Sequence, residues 1–307
     1  MENTDLIYGS TEMLLTHLVD ACPDAIIGVN KAGIVLIFNP AAAVMTDHPV
    51  EAALGKLSIT EFYENIETAK GVKAAIYSKK YGGPNRLIGY ETQIIDRTGH
   101  LIPIRLSAAL LVEKGQEVGS VGFFHNLTHQ KKLEEKLRIL SITDGLTGLY
   151  NQRHFYTSLS GELSRAKRHN RNLSLIGFDL DKFKQCNDRF GHLEGDNVLR
   201  LVGDIIKTET RKSDLSFRYG GDEFFVLLPE TNHEQAITVA EKILTSFNDR
   251  WPFDSTAGQV GDFRVTLSMG VAQYTGETEP TALIKKVDLL IYAAKKSGGN
   301  TVVAHLE

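Results

Sequence analysis

Two clusters of carboxylates in the C-terminal half stand where a chain does not ordinarily gather charge. The apolar run Leu173–Phe178 leads straight into Asp179-Leu180-Asp181-Lys182-Phe183-Lys184, and Gly220-Gly221-Asp222-Glu223 falls between the strand-like runs LSFRY and FFVLLP. Side chains alternate along a strand, so Asp179 and Asp181 are expected to point the same way while the strand lasts. Two acids from this strand and two from the GGDE turn would repel one another strongly unless cations sit among them. All-oxygen donors favour a hard cation such as magnesium, which also accepts waters and phosphate oxygens in its shell. Glycines in a hairpin turn tolerate positive φ and carry no side chain, so a bulky ligand can lie against the backbone there, facing Asp222 and Glu223. Plainer roles exist for each cluster alone: Asp179 and Asp181 could cap the following helix and pair with Lys182 or Lys184, and GGDE could be a solvated turn. The company argues for chemistry, since Lys184, Asn187, Asp188, Gly191, His192, Gly195 and Asp196 follow within one short window.

Those residues need elements to hold them. LSLIGFDLD predicts a buried strand, EGDNVLRLVGDIIK a helix, LSFRY and FFVLLP a hairpin, HEQAITVAEKILTSF a helix, FRVTLSMGVAQ a strand and PTALIKKVDLLIYAAKKS a helix. Alternating strands and helices of this kind predict a sheet covered by helices on one side. From Leu14 to about Leu127 the pattern differs, with short alternating segments broken by turns. IIGVN and IVLIF flank Lys31-Ala32-Gly33, and a second hairpin turns at Asp96-Arg97-Thr98-Gly99. Asn39 is placed to cap a helix with Pro40 at its first position. Between the halves, Leu133, Leu137 and Leu140 share one face of a helix suited to pair with its own copy, or to pack on a single domain.

The chain of 307 residues is long enough for two domains. A net charge of -4 offers no general attraction to nucleic acid or anionic lipid, so neither is an expected partner. The N-terminal stretch has no apolar core of a signal peptide and no run reaches membrane-spanning length, which predicts a cytoplasmic protein. Cys22 and Cys186 lie far apart without metal-ligand spacing and are expected to be free thiols.

The order of elements in the first half, with FNPAAAVMTDHPVEAALGK, DRTGHLIPIRLS and HNLTHQKKLEEKL, resembles a PAS sensor domain over residues 13–128. Where that family commonly ends in Asp-Ile-Thr, this chain has Asn126-Leu127-Thr128. The second half resembles the GGDEF diguanylate cyclases over residues 142–307, carried by RYGGDEF, DGLTGLYNQRHF, FDLDKFKQCNDRFGHLEGD, MGVA and YAAKKSGGN in order. The resemblances imply an α+β chain: an N-terminal segment (1–12), a PAS-like antiparallel sheet with short helices, a connector helix (129–141), and a GGDEF domain built as a nucleotidyl-cyclase-like, ferredoxin-like α/β sandwich.

By that resemblance, Asp179, the carbonyl of Leu180, Asp222 and Glu223 hold Mg2+ or Mn2+. Asp222 takes the proton from a ribose 3'-hydroxyl, and Glu223 and Lys184 complete the catalytic set. Asn187 and Asp196 read the guanine of GTP. Lys182 and Phe183 (backbone N–H), Lys184 and Lys295 hold its phosphates, and Gly220 and Gly221 make room for it. Two copies, paired through the connector helix as a homodimer, would join two GTP into cyclic di-GMP. Arg211 and Asp214, of a motif that ends four residues before Arg218, match the family's inhibitory product site. Gly299 stands before Asn300 where the family usually has Arg, implying a weaker grip on the γ-phosphate. The alternative is a non-catalytic GGDEF receptor that binds GTP or cyclic di-GMP and signals through partner contacts. No sensor ligand is specified: no cysteine sits in a flavin-adduct motif, and His17, His48, His100, His125 and His129 match no haem-ligand pattern.

Overall fold

In the computed structural model of the chain, residues 2–83, 85–250, 263–276 and 279–305 are described, with side chains from Thr11 onward. The chain divides into two compact units, Met1–Glu135 and Lys136–Glu307.

The first unit opens on α1 (Glu2–Asp20). The sequence predicts a separate segment at 1–12 and alternating segments from Leu14, but one helix runs through that boundary. MLLTHLVD has no breaker before Pro23, so nothing in it interrupts helical hydrogen bonding. Strands β1 (Ala25–Asn30) and β2 (Val35–Phe38) form the first hairpin. After α2 (Pro40–Thr46), α3 (Val50–Ala53) and α4 (Ile66–Tyr77) come the long strands β3 (Arg86–Ile95), β4 (Leu101–Glu113) and β5 (Gln116–Asn126). The sheet is antiparallel in the order β2-β1-β5-β4-β3. Ile27, Phe38, Phe62, Leu87, Ile94, Ile104, Leu106 and Phe124 form its core.

Asn39 does more than cap α2. Its Oδ1 accepts from the N–H groups of Ala42 and Ile26, both at 2.9 Å, while its Nδ2 donates to the carbonyls of Val19 and Asp24, both at 3.0 Å. One side chain, 1% exposed, therefore ties the end of α1 to β1 and α2. Asn39→Ala is expected to lower the stability of this unit by about 2–3 kcal/mol, more than a lost cap alone, because several buried partners are left unsatisfied. Urea unfolding followed by circular dichroism checks this; a loss under about 1 kcal/mol would show that water replaces the bonds. Between α4 and the sheet lies a cavity of about 290 Å³ lined by Ile27, Tyr63, Val72, Leu106, Gly122 and Phe124 among others, with no histidine or cysteine in its wall.

The junction helix α5 (Thr128–Ile142) starts where Asn126 Oδ1 accepts from the Thr128 N–H at 2.8 Å and Leu127 is 1% exposed. It buries none of its residues within the chain, and the division between the two units falls inside it.

The second unit contains β6 (Tyr150–Asn151), α6 (Gln152–His169), β7 (Leu173–Asp181), α7 (Phe183–Phe190), α8 (His192–Glu209), β8 (Leu215–Gly220), β9 (Glu223–Pro229), α9 (His233–Asp249), β10 (Thr266–Gln273), α10 (Pro280–Lys296) and β11 (Thr301–Val303). The sheet order is β11-β10-β7-β9-β8-β6, with β7 central and antiparallel to both β9 and β10. Helices cover both faces, not one. Ile176, Phe178, Phe224 and Val226 pack with α8 and α9, whereas Leu175, Phe217, Phe225 and Leu227 pack with α6 and α10. The unbroken apolar runs of β7 and β9 account for this, since a strand with only one buried face alternates polar and apolar residues.

One helix lies unusually close to the sheet. Gly177 and Gly270 are register partners; a Cβ on Gly177 would come within 2.5 Å of Val287 Cγ1, and one on Gly270 within 2.6 Å of the Val287 carbonyl. With no side chains between them, α10 seats directly on β7 and β10, and Lys295 is carried to the end of β7.

Candidate active site

The carboxylates converge at one end of the central strands. Asp179 of β7 is the register partner of Glu223 at the start of β9, so the ladder itself places the two acids side by side. Gly221 and Asp222 form the turn immediately before Glu223; Gly221 has φ +53°, and no atom lies within 4 Å of where a Cβ on Gly220 or Gly221 would be. The backbone of the turn is thus open to a ligand. Lys295 Nζ lies 2.7 Å from Asp179 Oδ1.

Electrostatics follow from this crowding. Asp179 is raised above the usual carboxylate range, first by burial and then by the charges of Asp222 and Asp181, against the lowering pull of Lys295. Burial also raises Glu223, with Asp179, Asp222 and Asp288 adding to it. Such a cluster is short of positive charge, and its donors are all oxygens, which fits a hard divalent cation. Among the described residues no three His, Cys, Asp or Glu side chains are already gathered at metal-binding spacing. Magnesium commonly uses one or two carboxylates and completes its shell from phosphates and water, so the donor set fits it.

Asp181 points to the same side as Asp179 but is fully occupied. It accepts from Thr266 Oγ1 and Ser268 Oγ, both at 2.7 Å, and from the Asn300 N–H at 3.2 Å. This explains Gly299, which sits at φ +77°: a Cβ there would lie 2.7 Å from Asp181 Oδ2. The carboxylate clamps β7 to β10 and to the turn before β11.

Next to the acids, α7 begins at Lys182, whose backbone is left-handed (φ +62°) and which supplies no side-chain cap. No side chain caps the first N–H groups of α7, and such a helix start is a natural anion contact. Lys184 is exposed in the first turn. Asn187 on α7 and Asp196 on α8 lie on either side of the turn at Gly191, and neither side chain takes a hydrogen bond from a described residue. Gly195, which precedes Asp196, packs on Asn187: a Cβ there would fall 1.8 Å from Asn187 Oδ1. Gly195→Ala is accordingly expected to displace the Asn187 amide and to destabilise the α7–α8 hairpin by about 1–3 kcal/mol. Denaturant unfolding measures this, and an unchanged stability would show that the amide swings aside without cost.

Arg211 and Asp214 do not join this group. They form their own turn before β8, where Asp214 Oδ2 accepts the Arg211 N–H at 2.8 Å, at the opposite end of that strand from Gly220. The Arg211 guanidinium has no partner among the described residues.

Three contributors escape the sequence reading. Arg218 donates from Nε and Nη2 to the Gly221 carbonyl, at 3.0 and 2.8 Å, and from Nη1 to Asp144 at 3.3 Å. Burial tends to raise Asp144, but hydrogen bonds from Thr147 and the Arg218 charge outweigh it and hold the carboxyl below its usual range. The GG turn is thereby braced against the segment 144–147, a long-range contact without a sequence signal. Asp288 is the third: it lies two helical turns before Lys295 and lines, with Asp179, Glu223, Tyr219 and Tyr292, a cavity of about 270 Å³. Its seven-residue spacing from Lys295 was a usable signal for a shared helix face.

Residues 141–301 match the family model described as diguanylate cyclase, GGDEF domain, which is more than half of the chain. The chain belongs to the GGDEF family. Residues 14–127 match the PAS fold. Among curated GGDEF relatives, diguanylate cyclase DgcM of Escherichia coli K12 is 38% identical over 180 residues, covering 59% of this chain and 42% of DgcM. The response regulator PleD of Caulobacter vibrioides is 40% identical over 165 residues, covering 53% of this chain and 36% of PleD. This GGDEF chain thus matches less than half the length of either relative. The crystal structure of the coiled coil and GGDEF domain of DgcB from Caulobacter crescentus, in complex with c-di-GMP, superposes with a TM-score of 0.54 at 27% identity, covering 58% of this chain and 93% of that one. No described helix is long and apolar enough to cross a membrane.

Proposed function

We propose that the chain is a diguanylate cyclase, condensing two GTP into cyclic di-GMP and two pyrophosphates. The observation that carries this is the pairing of Asp179 with Glu223 by the β7–β9 register beside an open glycine turn that presents Asp222. Asp179, the Leu180 carbonyl, Asp222 and Glu223 would hold Mg2+ or Mn2+, which when bound stabilises charge on the attacking and leaving oxygens.

The chain's own groups divide the remaining work. Asn187 and Asp196 orient the base, the Asp196 carboxylate accepting from the guanine N1–H and 2-amino groups, a donor pair that adenine lacks. The open N-terminus of α7 at Lys182 and Phe183, with Lys184, holds the phosphates, and Lys295 joins them. Asp222 accepts the proton of the ribose 3'-hydroxyl as its oxygen bonds to the α-phosphorus of the other nucleotide. The bond to pyrophosphate breaks in the same displacement. One unit binds one GTP, so two copies must face each other; the exposed Leu133, Leu137 and Leu140 of α5 are suited to hold them. The PAS unit would set that geometry, and Arg211 with Asp214 would bind product. From the far end of β8, product bound there would act through domain placement and not by competition within one site.

Mass spectrometry of products after incubating the purified protein with GTP and Mg2+ tests the proposal, and cyclic di-GMP is expected. Binding of GTP or cyclic di-GMP without turnover, after carried-over cyclic di-GMP is removed, would favour a receptor instead. The absence of a cation at Gly299 makes that the reading to exclude.

A further inference from the structure

The pairing of Lys295 with Asp179 has a consequence for the order in which the site fills. Lys295 extends from the last turn of α10 and stands 2.7 Å from a carboxylate that is itself 17% exposed. Asp179, Asp222 and Glu223 crowd one corner, and Lys295 is the cation that acts on both Asp179 and Glu223. The seat of α10 on Gly177 and Gly270 fixes the helix, so only the lysine's own flexible stem can move the ammonium away.

We infer that Lys295 is the resident counter-cation of the nucleotide-free site, so that a divalent metal and the triphosphate enter together, the phosphates drawing Lys295 off Asp179 as the metal takes its place. This rests on the cyclase reading in taking Asp179 as a metal ligand and the triphosphate of GTP as the entering anion. A metal arriving alone must either displace the ammonium from Asp179, at the cost of that ion pair, or sit beside it against the repulsion of like charges a few ångströms apart. A triphosphate offers Lys295 a new anionic partner at the moment its old one is claimed. Metal and nucleotide binding are then positively coupled, and by linkage each raises the affinity of the other by the same factor.

The test is Mn2+ binding to the full-length protein, read from the electron paramagnetic resonance signal of free Mn2+, with and without a non-cleavable GTP analogue bridged by methylene between the α- and β-phosphorus. Wild type is expected to bind Mn2+ weakly alone and far more tightly with the analogue. Lys295→Met should bind Mn2+ alone at least about tenfold tighter than wild type and lose much of the coupling. Lys295→Arg, which keeps the charge, should behave as wild type, and thermal melts of both variants confirm that they fold. Wild type binding Mn2+ alone as tightly as with the analogue, or Lys295→Met binding it no tighter than wild type, overturns the inference. Product formation from GTP, measured on the same wild-type preparation, reports separately on the cyclase reading.

Discussion

Asp222→Ala is expected to cut cyclic di-GMP formation by about 10²–10⁴-fold, the range associated with losing a positioned general base, while leaving the fold intact. Asp222 takes no hydrogen bond from any described residue, and its neighbours Gly220 and Gly221 touch nothing within 4 Å of a notional Cβ. Nothing structural therefore depends on the carboxylate. Removing it also takes away one of the charges that raise Asp179 and Glu223. The thermal midpoint should stay within a few degrees of wild type, or rise as repulsion is relieved. The measurement is product yield per unit time at saturating GTP and Mg2+, with a melt on the same sample. A variant retaining more than a tenth of wild-type rate would dismiss Asp222 as the base.

The neighbouring acid two residues beyond Asp179 should behave in the opposite way. Asp181→Ala is expected to destabilise the second unit by about 3 kcal/mol, or roughly 6–12 °C in the midpoint of a unit this size. Its carboxylate satisfies the hydroxyls of Thr266 and Ser268 and the Asn300 N–H. Ser268 is 0% exposed, so water cannot substitute for the lost acceptor there. Asp181→Asn should recover part of the loss, since an amide oxygen can still accept from one or two of the three. Denaturant unfolding measures both. A loss below about 1 kcal/mol in Asp181→Ala would mean that the β10 hydroxyls find other partners, and the explanation of Gly299 as the residue that leaves Asp181 room would fall with it. Together the two variants separate chemistry from scaffolding within an Asp-x-Asp pair that is symmetric in sequence.

Much of this molecule was legible in the linear chain because its signals are local. Asn39 before Pro40, the turn at Lys31–Gly33, the apolar runs of β7 and β9, and the two glycines ahead of Asp222 each express a backbone preference that acts within a few residues. The GGDEF identity followed from several such pieces in order. That Asp179 and Asp181 share one face of β7 was also implicit, since strand alternation is a local rule.

What remained hidden depends on residues far apart in sequence. Helices on both sheet faces could have been inferred from the unbroken apolar runs, but which helix takes which face is settled by packing, with Gly177 and Gly270 admitting α10 to close contact. The contact of Asp144 with Arg218, which braces Gly221, joins residues 74 apart and has no periodic trace. That Asp181 is a clamp and Asp179 is not follows from which side chains of β10 and the Asn300 turn arrive opposite them. Residue types and spacing determined that oxygen-rich, cation-seeking chemistry belongs to this chain. Only the tertiary structure decided which carboxylates are spoken for, because hydrogen bonds and desolvation depend on neighbours that chain order does not specify.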